Sequence, residues 1–337
     1  MKKLTIVTTA YRSGRYLQKY FEGILNLNNL DQLRVVLVMN VPEEEELRIA
    51  QGYSGRYPHL FQIIKVDFRE TIGASLNRGF SRATTPYTSY LDVDDIRVGD
   101  SYDRQIAVLE HNPDVDFTYG DYIAVKSQGD TRGDYNFRPE FDPVEFTCHC
   151  HASPTQCWRT ELLQKIGGWD EQFRSAGDFE FNIRAALNCK FKKTPGLLLY
   201  YTRYAGSGSA SSIAWGPIEY TAIELRYGNY DVILRHKNWY RFVLQARRYR
   251  LEQILINGDW QPIERYVPNY WQIMAEREPI RRAFEVKWPI KTVQYYASLP
   301  GQVVYRNTRS GARWALEQLG VLERVRGFLQ ITARDLQ

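Results

Sequence analysis

Over the first hundred residues, short apolar runs alternate with stretches of helical periodicity. Leu4-Thr5-Ile6-Val7-Thr8 is rich in β-branched residues and ends in a polar turn at Tyr11 to Gly14, which predicts a buried strand. From Tyr16 to Leu27, the side chains of Leu17, Tyr20, Phe21, Ile24 and Leu25 share one helical face. Val35-Val36-Leu37-Val38-Met39 predicts a second strand, closed by Asn40 and Pro42. Residues 43–51 predict a helix whose opening acids, Glu43 to Glu46, suit the positive end of the helix dipole. Ile63 to Val66 follows as a strand, 73–83 as a helix and Thr88 to Leu91 as a fourth strand. Strands and helices alternating in this way predict a parallel, doubly wound sheet. Ligands of such sheets sit beyond the carboxyl ends of the strands, here the turns after Thr8, Met39 and Leu91.

Residues 100–214 are less regular. Val115 to Tyr119 and Asp121 to Val125 predict a hairpin around Gly120, followed by a polar loop over 126–145. A helix is expected at 178–188 and a strand at Leu197 to Tyr201. The Gly/Ser/Ala segment 205–214 breaks the pattern and places a domain boundary there. The expected organisation is thus a catalytic α/β domain over 1–214 and a helical region over 215–337. In the latter, 233–256 and 311–330 show apolar residues at helical spacing, and no internal repeat is present.

Composition narrows the class. With 44% apolar and 25% charged residues in 337, the chain reads as globular rather than disordered. No run reaches the roughly 18 apolar residues of a membrane span, and Met1-Lys2-Lys3 leads into a strand-like run rather than a signal sequence. The four cysteines are too few for a disulfide scaffold of this length. These features predict a cytoplasmic protein. The net charge of +5 is unevenly spread: residues 1–214 carry 25 Lys and Arg against 27 Asp and Glu, residues 215–337 carry 19 against 12. A basic second half attracts phosphate groups, such as those of a membrane surface.

The sharpest chemical feature is Asp92-Val93-Asp94-Asp95, directly after a predicted buried strand. Three crowded carboxylates repel one another unless a cation or donor neutralises them. Mn²⁺ or Mg²⁺ would do so and could hold a substrate diphosphate. A solvated turn with an Asp helix cap is the alternative.

Together with its surroundings this motif resembles the family 2 glycosyltransferases, inverting enzymes of the GT-A nucleotide-diphospho-sugar transferase fold. Ile6-Val7-Thr8-Thr9-Ala10-Tyr11 resembles their first strand and nucleotide-binding turn, and Val36 to Asn40 their second strand. Ile72 to Phe80 is similar to the glycine–asparagine helix that precedes the metal strand. Asp92-Val93-Asp94-Asp95 matches the Asp-x-Asp motif. Gly167-Gly168-Trp169-Asp170-Glu171 with Gly177-Asp178-Phe179-Glu180 resembles the acceptor-side segment. The likeness covers residues 4–205.

The resemblance implies a GT-A fold with a mostly parallel, Rossmann-like central sheet and a helical extension. It implies transfer of a sugar from a nucleotide-diphosphate donor, with UDP favoured, to a hydroxyl of a glycan or lipid-linked glycan, as in cell-envelope polysaccharide synthesis. Asp94 is then the metal ligand. Thr9, Ala10, Tyr11, Asn40, Gly73, Asn77, Asp92, Val93 and Arg203 contact nucleotide or donor. Asp178 is the general base of a single displacement. His151, Trp169, Asp170 and Glu180 lie on the acceptor side.

The chain departs from the family pattern in places. Asn40 stands where an acidic turn is usual, Leu76 replaces a basic residue, Gly177 replaces a Glu, and no histidine follows the late strand. Asn40, Gly177 and the missing histidine favour one rival, a non-catalytic binding protein on a degenerate transferase fold; a second, a sugar nucleotidyltransferase, shares the fold and the acidic motif. The second normally needs a glycine- and basic-rich first loop, which Thr9 to Arg15 does not supply. Cys148-His149-Cys150-His151 lacks the usual zinc spacing; Cys148 and Cys150 are expected to pack inward, with His149 or His151 facing the acceptor. The readings of the basic region 215–337, in order, are helical support, a peripheral membrane surface and an oligomer contact. Nucleic acid is not an expected partner, because no recognised motif accompanies the charge.

Overall fold

The structure is a computed structural model that describes residues 1–203, 216–229, 249–280 and 282. Met1–Arg281 is one compact unit. The boundary segment 205–214 and the predicted helix at 311–330 lie outside the described residues.

Strands β1 (Leu4–Ala10), β2 (Leu33–Asn40), β3 (Phe61–Val66) and β4 (Tyr87–Tyr90) form the parallel half of the sheet. Beyond it come β5 (Ile96–Arg97), β6 (Phe117–Val125), β7 (Asp134–Asn136), β8 (Cys157–Arg159) and β9 (Phe191–Thr202). The order is β3-β2-β1-β4-β8-β6-β9-β5, with β7 paired to β6. β8 runs antiparallel to both β4 and β6, so the sheet changes from parallel to mixed directly after β4. That change lies beside the Asp92–Asp95 turn.

Both sheet faces are covered, which explains the unbroken apolar character of β1 and β2. Leu4 and Ile6 enter the core beneath α1 (Gly14–Leu25), with Leu17, Tyr20, Phe21 and Ile24. Val7 points the other way, with Val36 and Val38, beneath α3 (Ile72–Phe80). On this face α3 sits so close that a Cβ on Gly79 would collide with Val7 Cγ1. Helix α2 (Glu44–Arg56) begins with a capping box between Glu43 and Glu46. The buried Glu46 also accepts the backbone N–H of Ser13 at 2.5 Å, fixing the turn after β1.

Three sequence expectations are corrected. Residues 117–125 are one strand rather than a hairpin. Gly120 marks a register shift against β9, where a Cβ would lie 2.7 Å from both Leu198 Cδ1 and the Thr194 carbonyl oxygen. The glycine therefore answers a close approach, not a turn. The loop at 126–145 contains β7 and the start of helix α5 (Pro143–Cys148), capped by Asp142, whose side chain accepts the Glu145 N–H. Finally, within the predicted helix 233–256, Gln253–Ile256 is instead strand β10, paired antiparallel with β11 (Asp259–Pro262). Asn257 and Gly258 take left-handed φ values of 53° and 80°, as a tight two-residue hairpin turn requires. The remaining helices are α4 (Ser101–His111), α6 (Leu162–Ile166), α7 (Gly177–Asn188), α8 (Gly216–Arg226) and α9 (Tyr270–Glu276). No helix among the described residues is long and apolar enough to cross a membrane.

Candidate active site

The carboxyl ends of β1 and β4 form one wall. Thr9 and Ala10 close β1, and Tyr11 follows, 38% exposed. The guanidinium carbons of Arg12 and Arg69 stand 5.4 and 4.8 Å from the Tyr11 ring centroid. An aromatic face beside two cations suits a base-and-phosphate ligand. Arg12 takes a left-handed φ of 51°, which bends the turn sharply.

After β4, the three acids separate by role. Asp95 is buried and accepts the Thr202 N–H at 2.7 Å, while the Thr202 hydroxyl donates to the Asp94 carbonyl at 2.6 Å. Gln128 donates to the Val93 carbonyl at 3.0 Å. The turn is thereby fastened to the end of β9 and to the 126–130 loop. Asp95 has a structural task, and Asp92 and Asp94 are the carboxylates left to act. Burial pushes the Asp92 carboxyl up to about 7, and the charges of Asp94 and Asp178 add to the rise. Burial also raises Asp94, against the pull of Arg15.

Asp178 enters from the other half of the chain, as the second residue of α7. Its Oδ1 accepts the Phe179 N–H at 2.9 Å, and the Cys150 thiol donates to Oδ2 at 3.6 Å. Asn182 in turn donates to Cys150 Sγ at 3.2 Å. Burial raises the Asp178 carboxyl above the ordinary carboxylate value, partly offset by a hydrogen bond from Ser153. Ser153 also meets the Tyr90 hydroxyl at 3.0 Å, which ties this corner to the end of β4. The charges of Asp94 and Asp178 are both felt at Asp92. Among the described residues no set of three His, Cys, Asp or Glu side chains could by itself hold a metal ion.

Other predicted site residues are placed differently. Asn40 is buried, and its amide exchanges hydrogen bonds with the Glu70 backbone while donating to Ser75 Oγ, so it braces the turn after β3. Asn77 is likewise buried and bonded to Trp169 and Glu171 rather than turned to a ligand. Gly73 allows α3 to approach residues 170–171, since a Cβ there would lie 3.1 Å from the Asp170 carbonyl oxygen.

On the proposed acceptor side, three residues face inward. Trp169 is buried, stacked on Phe181 and edge-on to Tyr90. Asp170 is buried and paired with Arg226 at 2.7 Å. Glu180 is buried, paired with Arg184 at 2.6 Å, and accepts the Tyr227 hydroxyl at 2.6 Å. Their sequence neighbourhood pointed to the site, but burial makes them its support. His151 is half-buried on the Phe146 ring, its Nε2 3.0 Å from Glu145. Arg203 is exposed at the end of β9, over the Tyr201 ring.

Sequence reasoning did not find Arg226, the last residue of α8, and Tyr227 just after it, which reach this support. A helix C-terminus carrying Glu-Leu-Arg-Tyr offers no local sign that its Arg is buried. The cysteine beside Asp178 was legible only as an inward-packing residue.

Residues 5–163 match the family described as glycosyl transferase family 2. It is 25% identical to the uncharacterized glycosyltransferase MJ1057 of Methanocaldococcus jannaschii over 203 residues, 58% of this chain and 69% of the relative. The crystal structure of S. aureus TarS 1–349 in complex with UDP-GlcNAc matches 84% of this chain and 73% of that one, with a TM-score of 0.57 and 18% identity. The chain spans 39% of the longer TarS structure, with a TM-score of 0.52 and 18% identity. These structures establish the shared GT-A type of fold.

Proposed function

We propose that the protein transfers a sugar from a nucleotide-diphosphate donor, of the UDP class, to a hydroxyl of a glycan or lipid-linked glycan, with inversion. The observation that carries this reading is that Ser153, beside Asp178, meets the Tyr90 hydroxyl at 3.0 Å two residues before Asp92, so that the charge of Asp178 is felt at Asp92. The TarS complex with UDP-GlcNAc supports the choice of donor class.

The donor would lie along the ends of β1 and β4, with Tyr11, Arg12 and Arg69 toward the nucleotide and Arg203 toward the diphosphate. Asp94, assisted by Asp92, would hold a divalent cation such as Mn²⁺ or Mg²⁺. A divalent cation would relieve the mutual repulsion of these two half-buried, raised carboxylates. When bound, that ion stabilises the negative charge on the departing nucleoside diphosphate. Asp178 accepts the proton of the attacking hydroxyl, and its raised pKa keeps it basic enough for that task. Because one carboxylate serves one displacement, the anomeric configuration inverts. We further propose a role in cell-envelope polysaccharide synthesis at the cytoplasmic membrane face, a reading that the basic second half supports.

Thermal stability measured against UDP, GDP, dTDP and CMP, each with and without Mn²⁺, tests this reading. A ligand at a hundred times its dissociation constant adds about 2.7 kcal/mol. A Mn²⁺-dependent rise with UDP is expected. No rise with any nucleotide would overturn the donor assignment and leave a binding protein on a transferase fold.

A further inference from the structure

Helix α7 carries Asp178 on its first turn, yet its own sequence supplies no cap. The N-cap position is Ala176, whose methyl group cannot accept a hydrogen bond, so the N-cap residue itself makes no side-chain cap. The turn leading into α7 is held from elsewhere. Glu219, on α8, is completely buried. Its Oε1 accepts the Arg174 N–H at 2.9 Å, and its Oε2 accepts the N–H groups of Ser175 at 2.8 Å and Ala176 at 3.1 Å. The Ser175 hydroxyl donates to the same Oε2 at 3.3 Å. One carboxylate thus gathers three consecutive backbone donors, which fixes the dihedral angles of the turn two residues before Asp178. Charge-assisted bonds of this kind are stronger than neutral ones, and burial sharpens them.

The next residue on α8, Tyr220, packs its ring on Phe179, centroid to centroid at 5.1 Å. It is 37% exposed, so α8 reaches the surface beside the residue that follows Asp178. Residues 216–226 lie beyond the segment matched by the family, which ends at 163.

Resting on the reading of Asp178 as general base, we infer that Glu219 is a positioning residue for it, so that α8 belongs to the catalytic machinery and not merely to a C-terminal support. Glu219 does not touch substrate. It sets where the first turn of α7 begins and therefore where the Asp178 carboxylate points. Displacement of a catalytic group by about 1 Å costs up to ~10²-fold in rate.

The test uses the full chain with Mn²⁺ and UDP-GlcNAc, following UDP release with water as acceptor, in wild type, Glu219→Gln, Asp178→Asn and the double variant. Gln keeps one acceptor oxygen but turns an NH₂ group toward backbone donors. We expect Glu219→Gln to lower kcat by about 10- to 10²-fold with KM for UDP-GlcNAc changed less than about twofold. In the Asp178→Asn background the same change should have less than about a twofold effect, because the group it positions is already gone. Equal losses in both backgrounds, or a change in KM alone, would overturn the positioning role while leaving Asp178 as base. Wild-type turnover by Asp178→Asn would overturn the base itself, and the positioning role with it. Should Glu219→Gln fail to fold, Glu219→Asp, which keeps the charge at shorter reach, is judged by the same comparison of backgrounds.

Discussion

Asn77 and Trp169 exchange two hydrogen bonds across ninety-two residues of sequence: the Asn77 amide donates to the Trp169 carbonyl at 2.8 Å, and the Trp169 N–H donates to Asn77 Oδ1 at 2.7 Å. A third bond runs from Asn77 Nδ2 to Glu171 Oε1 at 2.9 Å. Gly168 permits this closeness, because a Cβ there would collide with the Asn77 amide. The clamp joins α3, under the donor wall, to the segment that leads into α7.

Replacing Asn77 with Ala leaves a buried N–H and a buried carbonyl unpaired at Trp169. At about 1–3 kcal/mol for each unmet buried group, the variant should lose about 2–6 kcal/mol of stability, read as a lower urea midpoint at unchanged slope. A loss under about 0.5 kcal/mol would show that the clamp contributes little.

The sequence carried the donor half well. Uniformly apolar β1 and β2, the polar turn after Thr8 and the acids after Leu91 all appear where periodicity placed them, because local pattern and burial agree there. It failed where a residue answers a distant neighbour. Gly120 looked like a turn but accommodates Leu198, and Asn40 and Asn77 looked like ligand contacts but are occupied by Glu70 and Trp169. Trp169, Asp170 and Glu180 lie near the site in sequence, and only the arrival of α8 shows that they face inward.

Asp92 makes stability depend on pH. Its folded-state carboxyl sits at about 7 against an ordinary 3.8, so its contribution is present below the unfolded value and is lost as pH rises through 7. Without metal, the wild type should therefore weaken between about pH 4 and pH 7. Asp92→Asn should flatten that decline and gain about 1–3 kcal/mol at pH 8, while losing the Mn²⁺-dependent rise with UDP. Parallel stability–pH curves for the two proteins would contradict this account.

Arg226 should be among the most costly residues to replace. It is buried, donates to Asp170 at 2.7 Å and lies 3.5 Å from Glu180, which Arg184 also faces. Arg226→Met keeps much of the volume but leaves Asp170 without its cation. Breaking one partner of a buried pair costs about 3–5 kcal/mol, and urea unfolding of the variant should show a loss of that size. A variant within about 1 kcal/mol of wild type would mean that Asp170 is protonated in the folded protein and needs no partner.

The central claim is that Asp178 removes the acceptor proton at a site whose donor half is built by Asp92 and Asp94. The most direct measurement compares wild type with Asp178→Asn in Mn²⁺-dependent UDP release from UDP-GlcNAc, alongside UDP affinity from thermal shift. The account predicts a fall in kcat of at least ~10²-fold, the usual worth of a general base, with UDP affinity unchanged within about twofold. Turnover equal to wild type would remove Asp178 from the mechanism and contradict the account.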